Sequence, residues 1–518
     1  LNDTKQTIRS HTTQTARTHN QRLQRLHKRL EVIEGLVGDG FGRQGSLDPH
    51  TINLHTTARF ADLTTQREET LTELTRLYGE AQRRYLHDRG YDDYSVGETC
   101  SKSFFQEVRP ARTDSHIEHV TKANGQRFRS TSKILKAARE HFCAPGAIFN
   151  LEPNAATSPP NPARDDARKR LLDAVRADGK YLSPDESNAL EINCVFTPEI
   201  VQCAIDELQP NTTPGLDGWT ADFFKIVGAR VKGPEEGEGE GLEGGEGGRS
   251  KRIPSPLAHT LAQAYRECAD SKRLLECMRT SVVSLIFKEK GSRGDLGKYR
   301  PIAVNSIVYR IMAKAMVIAL RPYLPSVTSE YQKAFKPDEL ISDSTRLVQD
   351  VIHYCKDANI PGFLLFADQD SAYPRVRWDY LLQMMDHMNF PATFVDMVRT
   401  MYNDTRLLFK INGHIDEVPA APSNGVAQGC PLSPCLYLLC IQGLISLVNT
   451  EAAKPGGLKG IPLPTSTPLG DPPPIISLSG FADDVCVFLS GPDQLTPFRD
   501  LLDTYCLGAG AQNSWEKT

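Results

Sequence analysis

Residues 475–480 and 485–489 are short runs rich in Ile, Leu, Val and Phe, bounded by Pro or Gly, and they predict two strands joined by a tight turn. Asp483 and Asp484 fall at the tip of that turn. A similar run over 363–367 ends at Asp368, and residues 282–287 predict a strand that ends at Lys288. Apolar positions spaced by three and four predict helices over 198–208, 219–227, 309–324 and 378–388. Thr197 is the expected N-cap of the first, with Pro198 at its opening position. Residues 433–449 predict a long apolar helix, with Ser433 as N-cap and Pro434 at N1. Towards the amino terminus, Leu23, Leu26, Leu30, Ile33 and Val37 form a short heptad seam, and Leu71, Leu74, Tyr78, Ala81 and Tyr85 repeat the rhythm over 60–86. A pair of structural helices with solvated basic faces is expected there.

This order of strand with Asp, helix, loop, helix and hairpin with two Asp predicts an α+β palm, a small antiparallel sheet with helices on one face. At 518 residues and 39% hydrophobic, the chain can bury a large core in two or more domains. The amino-terminal part, with its two helical seams, reads as a helical extension. The segment 158–164 reads as a Pro-rich linker, and 232–248, almost wholly Gly and Glu, as an unfolded surface loop. The longest apolar run, 436–448, is shorter than the roughly 18 residues a membrane crossing needs, and the polar amino terminus shows no signal pattern. A soluble intracellular protein is expected. Twelve scattered cysteines without a C-x-x-C pair point to small core residues in a reducing compartment.

The net charge of −4 argues against a nucleic-acid partner until the glutamates at 235, 236, 238, 240, 243 and 246 are set aside; the remainder is then slightly positive. Lys122, Arg127, Arg129, Lys133 and Lys136 form one basic cluster. Lys288, Arg293, Lys298 and Arg300 form another beside a strand, and several donors so placed suit a triphosphate as well as a solvated turn. Adjacent acids between apolar strands repel one another and resist desolvation, so Asp483 and Asp484 call for a cation unless they serve only as turn formers. With Asp368 they could hold two Mg²⁺ roughly 3.5–4 Å apart, the arrangement used for displacement at phosphorus. Gly429, in the loop before the long helix, lets backbone approach a ligand closely.

The chain resembles the reverse transcriptases of non-LTR (LINE-type) retrotransposons over residues 125–518. The likeness rests on TPGLDGWTADFFK from Thr213, LIFKEKGSRGDLGKYRPIAV from Leu285, QKAF from Gln332, FADQDSAYPRV from Phe366, GVAQGCPLSPCLYLL from Gly425, FADD from Phe481 and NSWEKT from Asn513, in the family's order. It implies a fingers and palm fold and an RNA-directed DNA polymerase that uses two Mg²⁺, or Mn²⁺ in their place. The implied partners are dNTPs, an RNA template and a DNA primer or nicked target DNA, with no membrane, and a nuclear location follows if the target is chromosomal. By the same resemblance Asp368, Asp483 and Asp484 are metal ligands and catalytic, and the Gln369 carbonyl is an extra ligand. Tyr373 is a steric gate under the incoming sugar, Lys288 and Arg300 grip the triphosphate, Gln428 and Gly429 frame the nascent base pair, and Lys517 protonates pyrophosphate. Ser371 and Pro374 depart from the family's Lys-Ala-Phe/Tyr-Asp, Ala427 replaces a usual Arg, and Ala334 replaces a usual Gly. The chain starts at Leu1 and stops at Thr518 before a thumb, so a fragment of a larger retroelement protein is expected. The alternatives are a group II intron-type reverse transcriptase and maturase, or a catalytically silent remnant.

Overall fold

The computed structural model describes residues 116–514, apart from 123–124, 152–160, 233–251, 338, 404 and 464–474, together with positions 25, 26, 28, 29, 62, 65, 66, 69, 70, 72, 73 and 76. The chain separates into two compact units, Leu1–Thr99 and Cys100–Thr518. In the first, every described position is helical, Leu26 and Thr70 are buried, and the Thr70 hydroxyl donates to the Gln66 carbonyl at 2.7 Å. The other apolar positions of the two heptad-like seams, and the Gly/Glu loop over 233–248, lie outside the described residues.

The first strands described in the second unit are the paired β1 (Val120–Thr121) and β2 (Arg127–Phe128), which straddle residue 125, where the resemblance is expected to begin. Two helices follow, α1 (Thr131–Cys143) and α2 (Pro162–Ala177), the latter capped by Asn161, whose side chain accepts from the Arg164 amide. Then come α3 (Pro198–Asp206), α4 (Ala221–Val227) and α5 (Pro256–Asp270), with Thr197, Thr220 and Ser255 as N-caps. Each hydroxyl occupies one of the amides a helix start leaves without a partner. Next are β3 (Thr280–Phe287), β4 (Tyr299–Val304), α6 (Ile307–Leu320) and α7 (Ile341–Asp357). The palm segments are β5 (Phe363–Ala367), the short α8 (Ala372–Arg375), α9 (Trp378–His387) and α10 (Ala392–Tyr402). After β6 (Arg406–Ile411) and β7 (His414–Ile415) comes α11 (Ser433–Ala452). The strands β8 (Ile461–Pro462), β9 (Ile475–Ile476), β10 (Leu478–Phe481) and β11 (Asp484–Leu489) then lead to α12 (Leu495–Ala509).

Two sheets organise this unit. The fingers sheet runs β4-β3-β6-β7, with β3 and β6 parallel and the other pairs antiparallel. Val283, Phe409 and Ile411 face α1, where Phe142 stacks on Phe409 at 5.7 Å. The palm sheet runs β10-β11-β5 and is antiparallel throughout. Strand alternation sends Val485, Val487 and Leu489 into the main core with α9, α11 and α12. Cys486 and Phe488 point the other way, onto Val351 of α7 and onto Ile461 and Ile476. The expected α+β palm is present, with one addition: α7 and the β8–β9 ladder cover the face opposite the main helical layer.

The helix α11 is buried along nearly its whole length, and Cys435 and Cys440 are core residues as expected. It differs from the sequence reading in two ways. The turn at Pro431 and Leu432 carries the chain into the helix one residue early, so Leu432 stands at the N-cap and Ser433 is the first helical residue with a buried side chain. At 20 residues the helix also has the length and hydropathy to cross a membrane, but 78% of its apolar window is buried inside the protein, which is the property of a core helix. Similarly, α6 begins at Ile307 rather than Tyr309 because the Ser306 hydroxyl accepts from the Tyr309 amide and caps it.

Candidate active site

The β10–β11 hairpin closes on the pair Phe481↔Asp484, leaving Ala482 and Asp483 as its two loop residues. Ala482 takes a φ of 55°, a left-handed conformation that two-residue hairpins normally assign to Gly or Asn and that costs an L-residue about 1–2 kcal/mol. Asp483 is half-buried and Asp484 exposed. On the other edge of β11, Val485 pairs with Ala367. Asp368 directly follows Ala367 and Asp484 directly precedes Val485, so both acids stand at the same end of this strand pair. The three acids, far apart in sequence, therefore meet at one end of one sheet.

Their electrostatics record the meeting. Burial raises the Asp483 carboxyl above the ordinary aspartate value, the neighbouring Asp484 and Asp368 push in the same direction, and Arg300 opposes them. A cation against this carboxylate would relieve both the desolvation and the repulsion, so the donor set fits a hard divalent ion with oxygen ligands. Among the described residues no three His, Cys, Asp or Glu side chains close into a preformed cage.

Arg300 lies on β4 opposite Ile286, exposed, and is the fingers cation that acts on Asp483. Lys288 follows β3 on the same hairpin, where its amide donates to the Lys298 carbonyl at 2.8 Å and its ammonium to the Gly297 carbonyl at 3.2 Å. Tyr373 stacks on Tyr437 with ring centroids 4.9 Å apart, and burial followed by the Asp483 charge raises its hydroxyl pKa. The Tyr437 hydroxyl donates to the Gln369 side-chain oxygen at 3.0 Å. Tyr437 belongs to the site's support, and no local pattern in α11 separates it from the helix's other core residues.

The segment after α12 lies alongside Asp368. The Ser514 amide donates to the Asp368 carbonyl and the Asp370 amide donates to the Gln512 carbonyl, both at 2.8 Å. Alternate residues of a strand present their backbone groups to alternate edges, so these two bonds leave the Gln369 carbonyl facing away from residues 512–514, towards the β11 side. Lys517 lies outside the described residues.

The loop before α11 is bound to the fingers. The Ala303 amide donates to the Gln428 carbonyl at 2.8 Å, and a Cβ added to Gly429, whose φ is 117°, would lie 2.4 Å from the Ala303 carbonyl oxygen. The close approach expected of Gly429 is thus made to β4. Asn424 pins the start of the loop, donating to the carbonyls of Pro374 at 2.7 Å and Ile148 at 2.8 Å. Pro374 fits because it is the third residue of α8, where a helix amide has no intrahelical partner to lose. Ser371 takes a φ of 54°, and Asp370 accepts from both Ser371 and Arg375.

Comparison with known proteins agrees with this geometry. Residues 287–518 match the family of reverse transcriptases (RNA-dependent DNA polymerases). The chain is 27% identical over 359 residues to the transposon TX1 uncharacterized 149 kDa protein of Xenopus laevis, covering 69% of this chain and 24% of that protein. It is 21% identical over 240 residues to the retrovirus-related Pol polyprotein from type-2 retrotransposable element R2DM of Drosophila melanogaster, covering 46% of this chain and 20% of that one. The matched regions thus span a quarter or less of these relatives' lengths. With the strand-borne acids, the fingers hairpin and the order of motifs all in place, residues 287–518 match reverse transcriptases, and the chain is similar to transposon and retrotransposable-element proteins.

Proposed function

We propose that this domain is an RNA-directed DNA polymerase that joins a deoxynucleotide to a primer 3′-hydroxyl on an RNA template. The observation that carries the reading is the gathering of Asp368, Asp483 and Asp484 at one end of the palm sheet, with Arg300 acting on Asp483 from the fingers. Asp368 and Asp483 are the ligands proposed for two Mg²⁺ or Mn²⁺ ions, with Asp484 beside them and the Gln369 carbonyl as a further oxygen donor. When bound, such ions supply charge neutralisation for an attacking 3′-oxygen and for departing pyrophosphate.

The chain's own side chains do the rest. Arg300 and Lys288 bind the triphosphate and hold its α-phosphorus in line with the primer hydroxyl. Tyr373, held flat by its stack on Tyr437, lies under the sugar and excludes a ribose 2′-hydroxyl. Gln428 and Gly429, tied to β4, frame the new base pair, and Lys517 donates a proton to pyrophosphate. The template proposed is RNA and the primer a DNA end or nicked target DNA; a nuclear location follows if that target is chromosomal. Primer extension on an RNA template by purified protein tests the reading. Asp368→Asn, which keeps shape but loses charge, should lower the rate at least about a hundredfold; an unchanged rate would refute the assignment.

A further inference from the structure

The motif at Gln332 has no part in the chemistry above, yet its side chain ends on the catalytic hairpin. Gln332 is fully buried. Its amide nitrogen donates to the Ala482 carbonyl at 3.1 Å, and its side-chain oxygen accepts from the Ala482 amide at 2.9 Å and from the Ala334 amide at 3.2 Å. The backbone on either side is paired with β10, since the Gly480 amide donates to the Tyr331 carbonyl at 2.9 Å and the Lys333 amide donates to the Gly480 carbonyl at 3.0 Å. Ala482 sits in the hairpin loop, beyond the last rung of the ladder, so it has no strand neighbour for its own peptide groups. One primary amide, carrying a donor and an acceptor at peptide-like spacing, supplies both.

From this geometry we infer that Gln332 is a positioning residue for Asp483. Ala482 is held at a φ of 55°, and Asp483 is the next residue, so the direction of its carboxylate follows from that dihedral. Burial and two neighbouring acids act against Asp483 staying where it is, and the Gln332 amide opposes them without adding charge. The surroundings are shaped for the contact. A Cβ on Gly480 would lie 3.0 Å from the Gln332 amide nitrogen, and Ala334 and Ala482 pack with Leu438 of α11 beneath the turn. The small side chain at Ala334 is accommodated in that floor. The chemistry is specific to an amide: Glu keeps the acceptor but loses the donor to Ala482, Met keeps only the shape, and Asn is one methylene short.

The inference rests on the proposed polymerase function for its kinetic consequence, but not for its structural one, and the experiment separates them. In the full chain, Gln332→Met should leave KM for dNTP within about threefold and lower kcat by about 10- to 100-fold, the scale of a misplaced catalytic group. Hydrogen exchange should accelerate at least about tenfold at the amides of residues 480–484 and stay unchanged in α11. Should Gln332→Met fail to fold, Gly480→Ala, whose methyl displaces the amide, is expected to give the same local pattern. Wild-type exchange at 480–484 in these variants would overturn the clamp, as would acceleration spread evenly over the palm, which marks a merely structural residue. If the wild-type protein makes no DNA, the function fails while the exchange result still judges the clamp.

Discussion

Asp483→Asn should make the protein more stable while removing its activity, and the stability gain should reverse when divalent metal is added. In the folded chain the Asp483 carboxyl is raised above 3.8 by burial and by Asp484 and Asp368, with Arg300 only partly compensating. A raised carboxyl contributes stability that is fully present below the unfolded value and is lost as pH rises through the folded value. The difference between Asp483→Asn and wild type should therefore open above about pH 3.8 and level off once the raised carboxyl has ionised. Removing an uncompensated active-site charge typically gains about 0.5–2 kcal/mol at neutral pH, or a few degrees in Tm. Metal acts in the other direction: at ten times its dissociation constant, an ion bound only by the folded wild type adds about 1.4 kcal/mol. Thermal denaturation in EDTA and across a Mg²⁺ or Mn²⁺ titration, at pH 4 to 8, reads all three effects. A variant less stable than wild type in EDTA, or equal stabilisation of both proteins by metal, would show that the raised carboxyl is not a cation site.

Three further outcomes follow from particular contacts. Gly429→Ala drives a methyl to within 2.4 Å of the Ala303 carbonyl at a φ of 117°, so the loop must leave β4; the strain and the lost Gln428–Ala303 bond together should destabilise by about 2–4 kcal/mol in urea titration. Gln442→Leu leaves the buried Ser329 amide without the side-chain oxygen it donates to at 2.8 Å and Ser446 without its amide donor; a loss of about 2–4 kcal/mol is expected, and a loss below about 0.5 kcal/mol would mean the network relaxes freely. Arg300→Gln removes a cation that acts on Asp483, so steady-state kinetics should show KM for dNTP rising at least about tenfold, and an unmoved KM would remove Arg300 from the triphosphate site.

Much of the palm was legible because its signals are local. The runs ending at Asp368 and bracketing Asp483 read as strands from composition alone, and Thr197 with Pro198 marked a helix start to the residue. What sequence could not supply was partnership across long separations. Gln332 lies 150 residues from Ala482, and nothing in its neighbourhood says that its amide will act as a strand neighbour. Tyr437 is one aromatic in a mostly apolar helix, so its stack on Tyr373 is visible only after folding. Gly429 suggests close approach to a ligand, whereas the surface that approaches it in the structure is β4, whose position a local pattern does not give. The cap at Ser433 was misplaced by one residue because Pro431 and Leu432 already turn, a competition that propensity does not weigh.

The interleaving of the two sheets has a consequence for how the polypeptide is made. The fingers sheet joins β3 to β6 in parallel, and the whole of β5 to α10 intervenes before that partner is synthesised. While the ribosome is still delivering the palm helices, β3 therefore presents an open edge. Neither lobe corresponds to a contiguous stretch that could be finished first, so both mature together and late. Cutting the chain between β3 and β6 should accordingly yield two aggregation-prone pieces that must be co-expressed to regain a native fold.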